Sequence, residues 1–195
     1  MLIGHQIWMA ENLRTTVLAD GSKIPMIQDQ NAWAKIPDQQ DKIFCCYVNN
    51  DSVSKTKVLY TYGGAMQGSQ FDNNVHDICP DGWNLSSQED WGELIEKLRS
   101  DGFNGKEGTV LKAKTGWQLA ENNEDIYGFN GEADGIRNPT YGNFSDSSTH
   151  GIWWSTSLNI GKGTSTAFQL YYNYPSHTLD QWPLSSGLSV RCIKN

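Results

Sequence analysis

The side chains best suited to metal binding or nucleophilic chemistry are four histidines (His5, His76, His150, His177) and four cysteines (Cys45, Cys46, Cys79, Cys192). No H-x-x-H, C-x-x-C or H-E-x-x-H spacing joins them, so no local zinc pattern is present. The run from Asn130 to Gly135 imitates the start of an EF-hand loop. Its twelfth position carries Tyr141 where a bidentate Glu is needed, so that motif fails. The acidic, Asn-rich stretch around Glu124 and Asp125 leaves calcium in another geometry open, against an ordinary solvated turn. Gly161-Lys162-Gly163-Thr164 lacks both the upstream Gly and the Ser or Thr after Lys of a phosphate loop. No G-x-S-x-G nucleophile turn occurs, and nothing singles out a Cys–His pair. No catalytic residue, metal ligand or cofactor is expected; calcium is an optional extra.

One cluster does suit recognition. Tyr171, Tyr172, Asn173, Tyr174, His177 and Trp182 interleave rings with amide and hydroxyl groups. Rings supply contact area at low entropic cost, and amides supply directional hydrogen bonds. Tyr172, Asn173, Tyr174, His177 and Trp182 are therefore the candidate ligand-binding residues. The alternative is a half-buried strand with a decorated loop. Trp153-Trp154-Ser155 is the other aromatic candidate, read as core packing for at least one ring.

These residues need a scaffold, and the chain carries signals for one. Ser87 can cap a helix with Asp90 three positions on, and Trp91, Leu94, Ile95 and Leu98 then form one apolar stripe. Asp101-Gly102 should end it. A shorter helix is expected around 108–114. Strands are expected in residues 1–18, at 43–48, 152–155, 166–174 and 188–193, while Gly63-Gly64 leaves 58–66 open to helix or strand. The pattern predicts an α+β fold with two short helices and long loops over 119–150 and 158–187.

The chain has 195 residues, enough for one domain over 1–195 with its own core. Only 19% are charged, whereas 8 Trp, 8 Tyr and 19 Gly are present. Large rings each bury on the order of 150–250 Å², so an aromatic core can replace a thin aliphatic one. Net charge −7 with no basic patch argues against a nucleic-acid partner. No apolar run approaches the roughly 18 residues of a membrane span, and the opening residues lack a signal-peptide pattern. Four cysteines allow three pairings. A bridge from Cys79 to Cys192 would close 113 positions and contribute about 4–5 kcal/mol, against the alternative of four reduced thiols.

In order along the chain, several segments resemble the Fibrobacter succinogenes major paralogous domain family. They are Ile3 to Leu13, Ile78 to Trp83, Trp91, Leu111-Lys112, Gly128-Phe129, Trp153 to Ser155 and Gly187 to Cys192. The chain departs from the usual family wording at Asn84 to Ser87 and at Asp134 to Arg137. The resemblance implies a C-type-lectin-like fold with twisted antiparallel sheets, related in outline to formylglycine-generating enzymes. It implies a bridge between Cys79 and Cys192. It also implies a protein secreted or on the outer-membrane surface of a Bacteroidetes-type bacterium, often a lipoprotein; the opening in a strand reads as that of a mature or excised domain. The cysteine pair those enzymes use before their closing motif is missing, so a binding or adhesion module for an extracellular glycan or protein is expected. Assembly into a surface layer or appendage is the alternative, and an enzyme of that class a lesser one. Fold alone does not settle function.

Overall fold

A computed structural model describes residues 1–18, 20–39, 41–48, 57–67 and 77–194. His76 and the turn residues Asn49 to Asp51 lie outside them. The described elements, in chain order, are β1 (Leu2–Ile3), β2 (Gln6–Trp8), α1 (Gln30–Trp33), β3 (Cys45–Tyr47), β4 (Val58–Tyr60) and α2 (Tyr62–Ala65). There follow β5 (Trp83–Leu85), α3 (Gln88–Leu98), α4 (Glu107–Leu111), β6 (Ile136–Arg137) and β7 (Phe144–Ser145). The last four are β8 (His150–Asn159), β9 (Thr164–Tyr171), β10 (Thr178–Pro183) and β11 (Cys192–Lys194). The class is α+β, and every paired strand is antiparallel to its neighbours.

Strand order β1-β2-β11-β5 seats the last strand of the chain between β2, near the start of the chain, and β5. Ile193 lies between Trp8 and Asn84, and Cys192 opposes Leu85. The Cys79–Cys192 disulfide ties the segment before β5 to β11, closing the long loop the sequence allowed. Cys45 and Cys46 are free and buried. As neighbours on β3 their side chains point to opposite faces, Cys45 into one apolar cluster and Cys46 into another.

Helix α3 forms as its sequence dictates. Ser87 Oγ accepts from the Asp90 backbone N–H (3.0 Å), and Asp90 Oδ2 accepts from that of Ser87 (2.7 Å), a complete capping box. Trp91, Leu94, Ile95 and Leu98 are buried. The helix runs into a wide turn, Arg99–Phe103, in which Gly102 takes φ 94°. The second helix is shorter than expected and shifted, and two single-turn helices are added, α1 and α2. Residues 58–66 divide between β4 and α2: Thr61 caps the turn, and Gly64 lies against the Phe44 carbonyl oxygen, leaving no room for a Cβ.

The β10-β9-β8 sheet is the centre of the molecule, and both its faces are covered. Trp153 and Phe168 face a cluster with Trp8, Trp91 and Phe129; Trp154 and Ala167 face another with Tyr60, Tyr62 and Val190. Trp91 stacks on Phe168 at 4.3 Å between ring centroids. Consecutive strand residues point to opposite sides, so both Trp153 and Trp154 are fully buried. The sequence supported a buried position for at least one; the two-sided core accounts for both. Trp83 is only partly buried, packed against the edge of that second cluster.

Candidate functional site

Strand β9 ends at Tyr171, so Tyr172, Asn173 and Tyr174 leave the sheet in a turn instead of continuing the strand. That turn is fastened to α4. The Thr109 N–H donates to the Pro175 carbonyl (2.9 Å), and Ser176 Oγ donates to Glu107 Oε2 (2.5 Å). Lys112 Nζ donates to the carbonyls of Tyr171 (2.9 Å) and Tyr174 (3.0 Å). The turn lies so close to the helix that a Cβ at Gly108 would strike the Ser176 carbonyl oxygen. On the other side of α4, the Glu124 N–H donates to the Thr109 carbonyl (2.9 Å) and that of Ile126 to Val110 (3.1 Å).

Between these two loops opens a pocket of about 220 Å³, walled by Thr109, Leu119, Asn122, Tyr172, Asn173 and Tyr174, with Lys112 also lining it. Leu119 and Tyr174 are 43% and 46% exposed, and the Asn122 and Asn173 side chains are open to solvent. Lys112 is only 3% exposed. Its ammonium also lies 5.4 Å from the Trp117 ring centroid, a cation–π contact. Burial lowers its pKa to about 8.

Glu107 anchors the assembly from beneath. Its carboxylate is fully buried and accepts from Arg99 Nε (3.0 Å) as well as Ser176. Burial alone would raise its pKa, but these hydrogen bonds and backbone N–H groups hold it at about 2. His177 stacks on Phe168 at 5.5 Å, with Nδ1 3.9 Å from Glu107 Oε2. Burial, together with Arg99, outweighs the attraction of Glu107 and lowers its pKa.

The five expected ligand residues thus separate. Tyr172, Asn173 and Tyr174 line one pocket. His177 packs beneath the turn with its side chain 13% exposed. Trp182 sits farther along β10 opposite Ser165, partly buried against the Trp154 cluster. Strand rise puts it about 13 Å from Thr178. Sequence reading did not reach Thr109, Leu119, Asn122 and Lys112 as pocket residues. The one local signal was Lys112 between Leu111 and Ala113 in an otherwise apolar stretch.

A larger cavity, about 740 Å³, opens between β5, β11 and the start of α3. Of the three carboxylates lining it two are engaged, Asp90 in the capping box and Asp77 by the N–H groups of Cys79 (2.8 Å) and Leu85 (2.7 Å); the third is Glu93. Among the described residues, no group of three or more His, Cys, Asp or Glu could hold a metal ion. Asp125 accepts from the Asn130 N–H (2.8 Å), closing a turn that ends where the EF-hand-like stretch begins.

Several segments quoted for the resemblance meet at one buried hub. Asn12 Oδ1 accepts from Trp153 Nε1 (2.7 Å), Arg191 Nε (3.1 Å) and Arg191 Nη2 (2.6 Å). Asn12 Nδ2 donates to Asp134 Oδ2 (2.8 Å), and Lys57 Nζ to Asp134 Oδ1 (2.6 Å). Arg191 Nη1 donates to the carbonyls of Met9 (2.9 Å) and Phe129 (2.5 Å), and its guanidinium lies 4.4 Å from the Phe129 ring centroid. Residues far apart in the sequence are therefore locked to one another by charge and hydrogen bonding. No curated protein and no solved structure matches the chain. The model of the Fibrobacter succinogenes major domain matches residues 1–194, so the chain belongs to that family.

Proposed function

We propose that the protein is a non-enzymatic binding module of the cell exterior, with a C-type-lectin-like fold, that recognises a carbohydrate in the pocket between α4 and the 171–177 turn. The carrying observation is the pocket itself. Exposed Tyr174 offers a stacking face, Asn122 and Asn173 offer amides, and Thr109 offers a hydroxyl. Its volume of about 220 Å³ is below the roughly 300–1,000 Å³ of sites for drug-sized ligands, which suits one sugar ring. Fastening of the turn to α4 by Glu107, Lys112 and the Pro175 carbonyl presents these groups in a fixed arrangement, which lowers the entropic cost of binding. The disulfide fits an oxidising compartment.

A glycan array probed with the wild-type protein and with Tyr174→Ala and Asn173→Ala tests the reading. Binding of a defined set of glycans by the wild type, weakened about tenfold or more in each variant, is the expected result. A stacked ring or a good hydrogen bond lost from a site costs about 1–2 kcal/mol. Unchanged binding in both variants would place recognition elsewhere.

A further inference from the structure

We propose that the sugar this pocket takes carries a single carboxylate, a hexuronic acid or a sugar acid like it, and that Lys112 receives that group. The inference rests on the carbohydrate reading above and specifies its ligand. Lys112 is a cation inside the protein whose charge no anion among the described residues answers. An ammonium has three N–H donors. Two go to the Tyr171 and Tyr174 carbonyls, and among the described residues the third has no acceptor. No carboxylate among the described residues lies within ion-pair distance of Nζ. Titratable groups on the elements packed around it are Glu107 on α4, Glu121, Glu124 and Asp125 in the outer loop, the last accepting from the Asn130 N–H, and Glu132 after Gly131, which faces Lys57 at 3.6 Å. Tyr171, Tyr172, Tyr174 and His177 belong to the turn. The Glu121 and Glu124 side chains are exposed to water, and the Glu107 carboxylate is engaged by Arg99 and Ser176.

A buried charge without a counter-ion is costly, and a ligand that supplies one gains what the protein leaves unmet. The two carbonyls hold the ammonium in place, so its remaining donor is fixed before the ligand arrives. The pocket holds one buried cation and the chain carries net charge −7. That combination suits one acid group on one ring and disfavours long polyanions, which require a basic track.

Calorimetric titration of the full chain with D-glucuronate and D-galacturonate, and with D-glucose and D-galactose, tests the proposal. The uronates are expected to bind at least tenfold more tightly than their neutral counterparts near neutral pH. The Lys112 pKa of about 8 sets the second expectation. Only the ammonium form is competent, so raising the pH from about 6.5 to about 9.5 should weaken uronate binding about 30-fold. Neutral-sugar binding should stay flat over the same range. Lys112→Met keeps the apolar stem and should abolish the uronate preference. Equal binding of uronate and neutral sugar by the wild type would overturn the Lys112 role while leaving the carbohydrate reading intact. No binding of any of the four, with no response on the glycan array, would overturn both. A uronate preference that survives to about pH 9.5 would also overturn the Lys112 role, and needs no variant to fold.

Discussion

Replacing Asn12 by Ala should cost about 3–5 kcal/mol of folding stability, far more than an ordinary surface change. Asn12 is 6% exposed, and its partners Trp153 and Arg191 are fully buried. The substitution removes the one oxygen that accepts from Trp153 Nε1, Arg191 Nε and Arg191 Nη2. Trp153 then has an indole N–H facing the interior with no acceptor. Arg191 keeps the Met9 and Phe129 carbonyls at Nη1 and a long contact from Nη2 to the Asn130 carbonyl (3.3 Å), but loses both bonds that fix its Nε edge. The orphaned Trp153 Nε1 and Arg191 Nε each cost about 1–2 kcal/mol, at the lower end of the usual range because the vacated space can admit a water, and Arg191 Nη2, which keeps the Asn130 carbonyl, costs about 1 kcal/mol. Asp134 loses a donor but keeps Lys57 and Ser189, so it adds little. With a urea slope of about 2 kcal/mol/M, the midpoint should fall by about 1.5–2.5 M. Asn12→Asp keeps the acceptor, strengthens the pairing with Arg191 and sets a second carboxylate against Asp134; it should lose less than Asn12→Ala. Urea unfolding followed by tryptophan fluorescence measures all three proteins. A loss below about 1 kcal/mol for Asn12→Ala would refute the view that the hub holds the fold together.

Removing the disulfide with Cys79→Ser plus Cys192→Ser should lower stability by about 4–5 kcal/mol, the chain-entropy value for a loop of 113 positions, read from the same urea curves. Glu107 should make the protein acid-sensitive, because its folded pKa of about 2 lies below the ordinary 4.5. Between those values the unfolded chain binds the proton first, so this contribution is complete above about pH 4.5 and fades as pH falls toward about 2. In Glu107→Gln the urea midpoint should change less steeply over that interval; an identical slope would show that Glu107 contributes no pH dependence.

The helix α3 was legible because its signals are local: a cap at Ser87, an acid at Asp90 and a stripe that needs only a 3.6-residue period. The core role of Trp91 was legible for the same reason. Helices α1 and α2 were not, since a four-residue helix leaves no period to read, and α2 contains two glycines. The pairing of Trp153 with Trp154 on opposite buried faces depends on what covers the sheet, which no single strand records. Half of the pocket was visible as Tyr172, Asn173 and Tyr174. The other half, Thr109, Lys112, Leu119 and Asn122, lies far earlier in the chain and meets them only in the tertiary fold, where Thr109 and Lys112 bond the turn. Trp182 and His177 looked equivalent to the tyrosines because sequence proximity ignores the return of β10 along β9, which carries Trp182 away.

The same geometry separates what holds the molecule together from what it presents to solvent. The hub draws on Asn12, Trp153 and Arg191, all from the segments that carry the family resemblance. Of the residues lining the pocket, Lys112 alone comes from those segments; Thr109, Leu119, Asn122, Tyr172, Asn173 and Tyr174 stand on loops and a helix that rest on the hub without entering it. Changes at those rim positions remove no buried partner from Asn12 or Arg191, so they should cost little stability, whereas a change at Lys112 disturbs both the 171–177 turn and the pocket charge. Lys112 is therefore the point at which the scaffold meets the proposed binding pocket. Its hydrogen bonds to the Tyr171 and Tyr174 carbonyls hold the aromatic wall in position, and its remaining donor is the group the proposed uronate would engage.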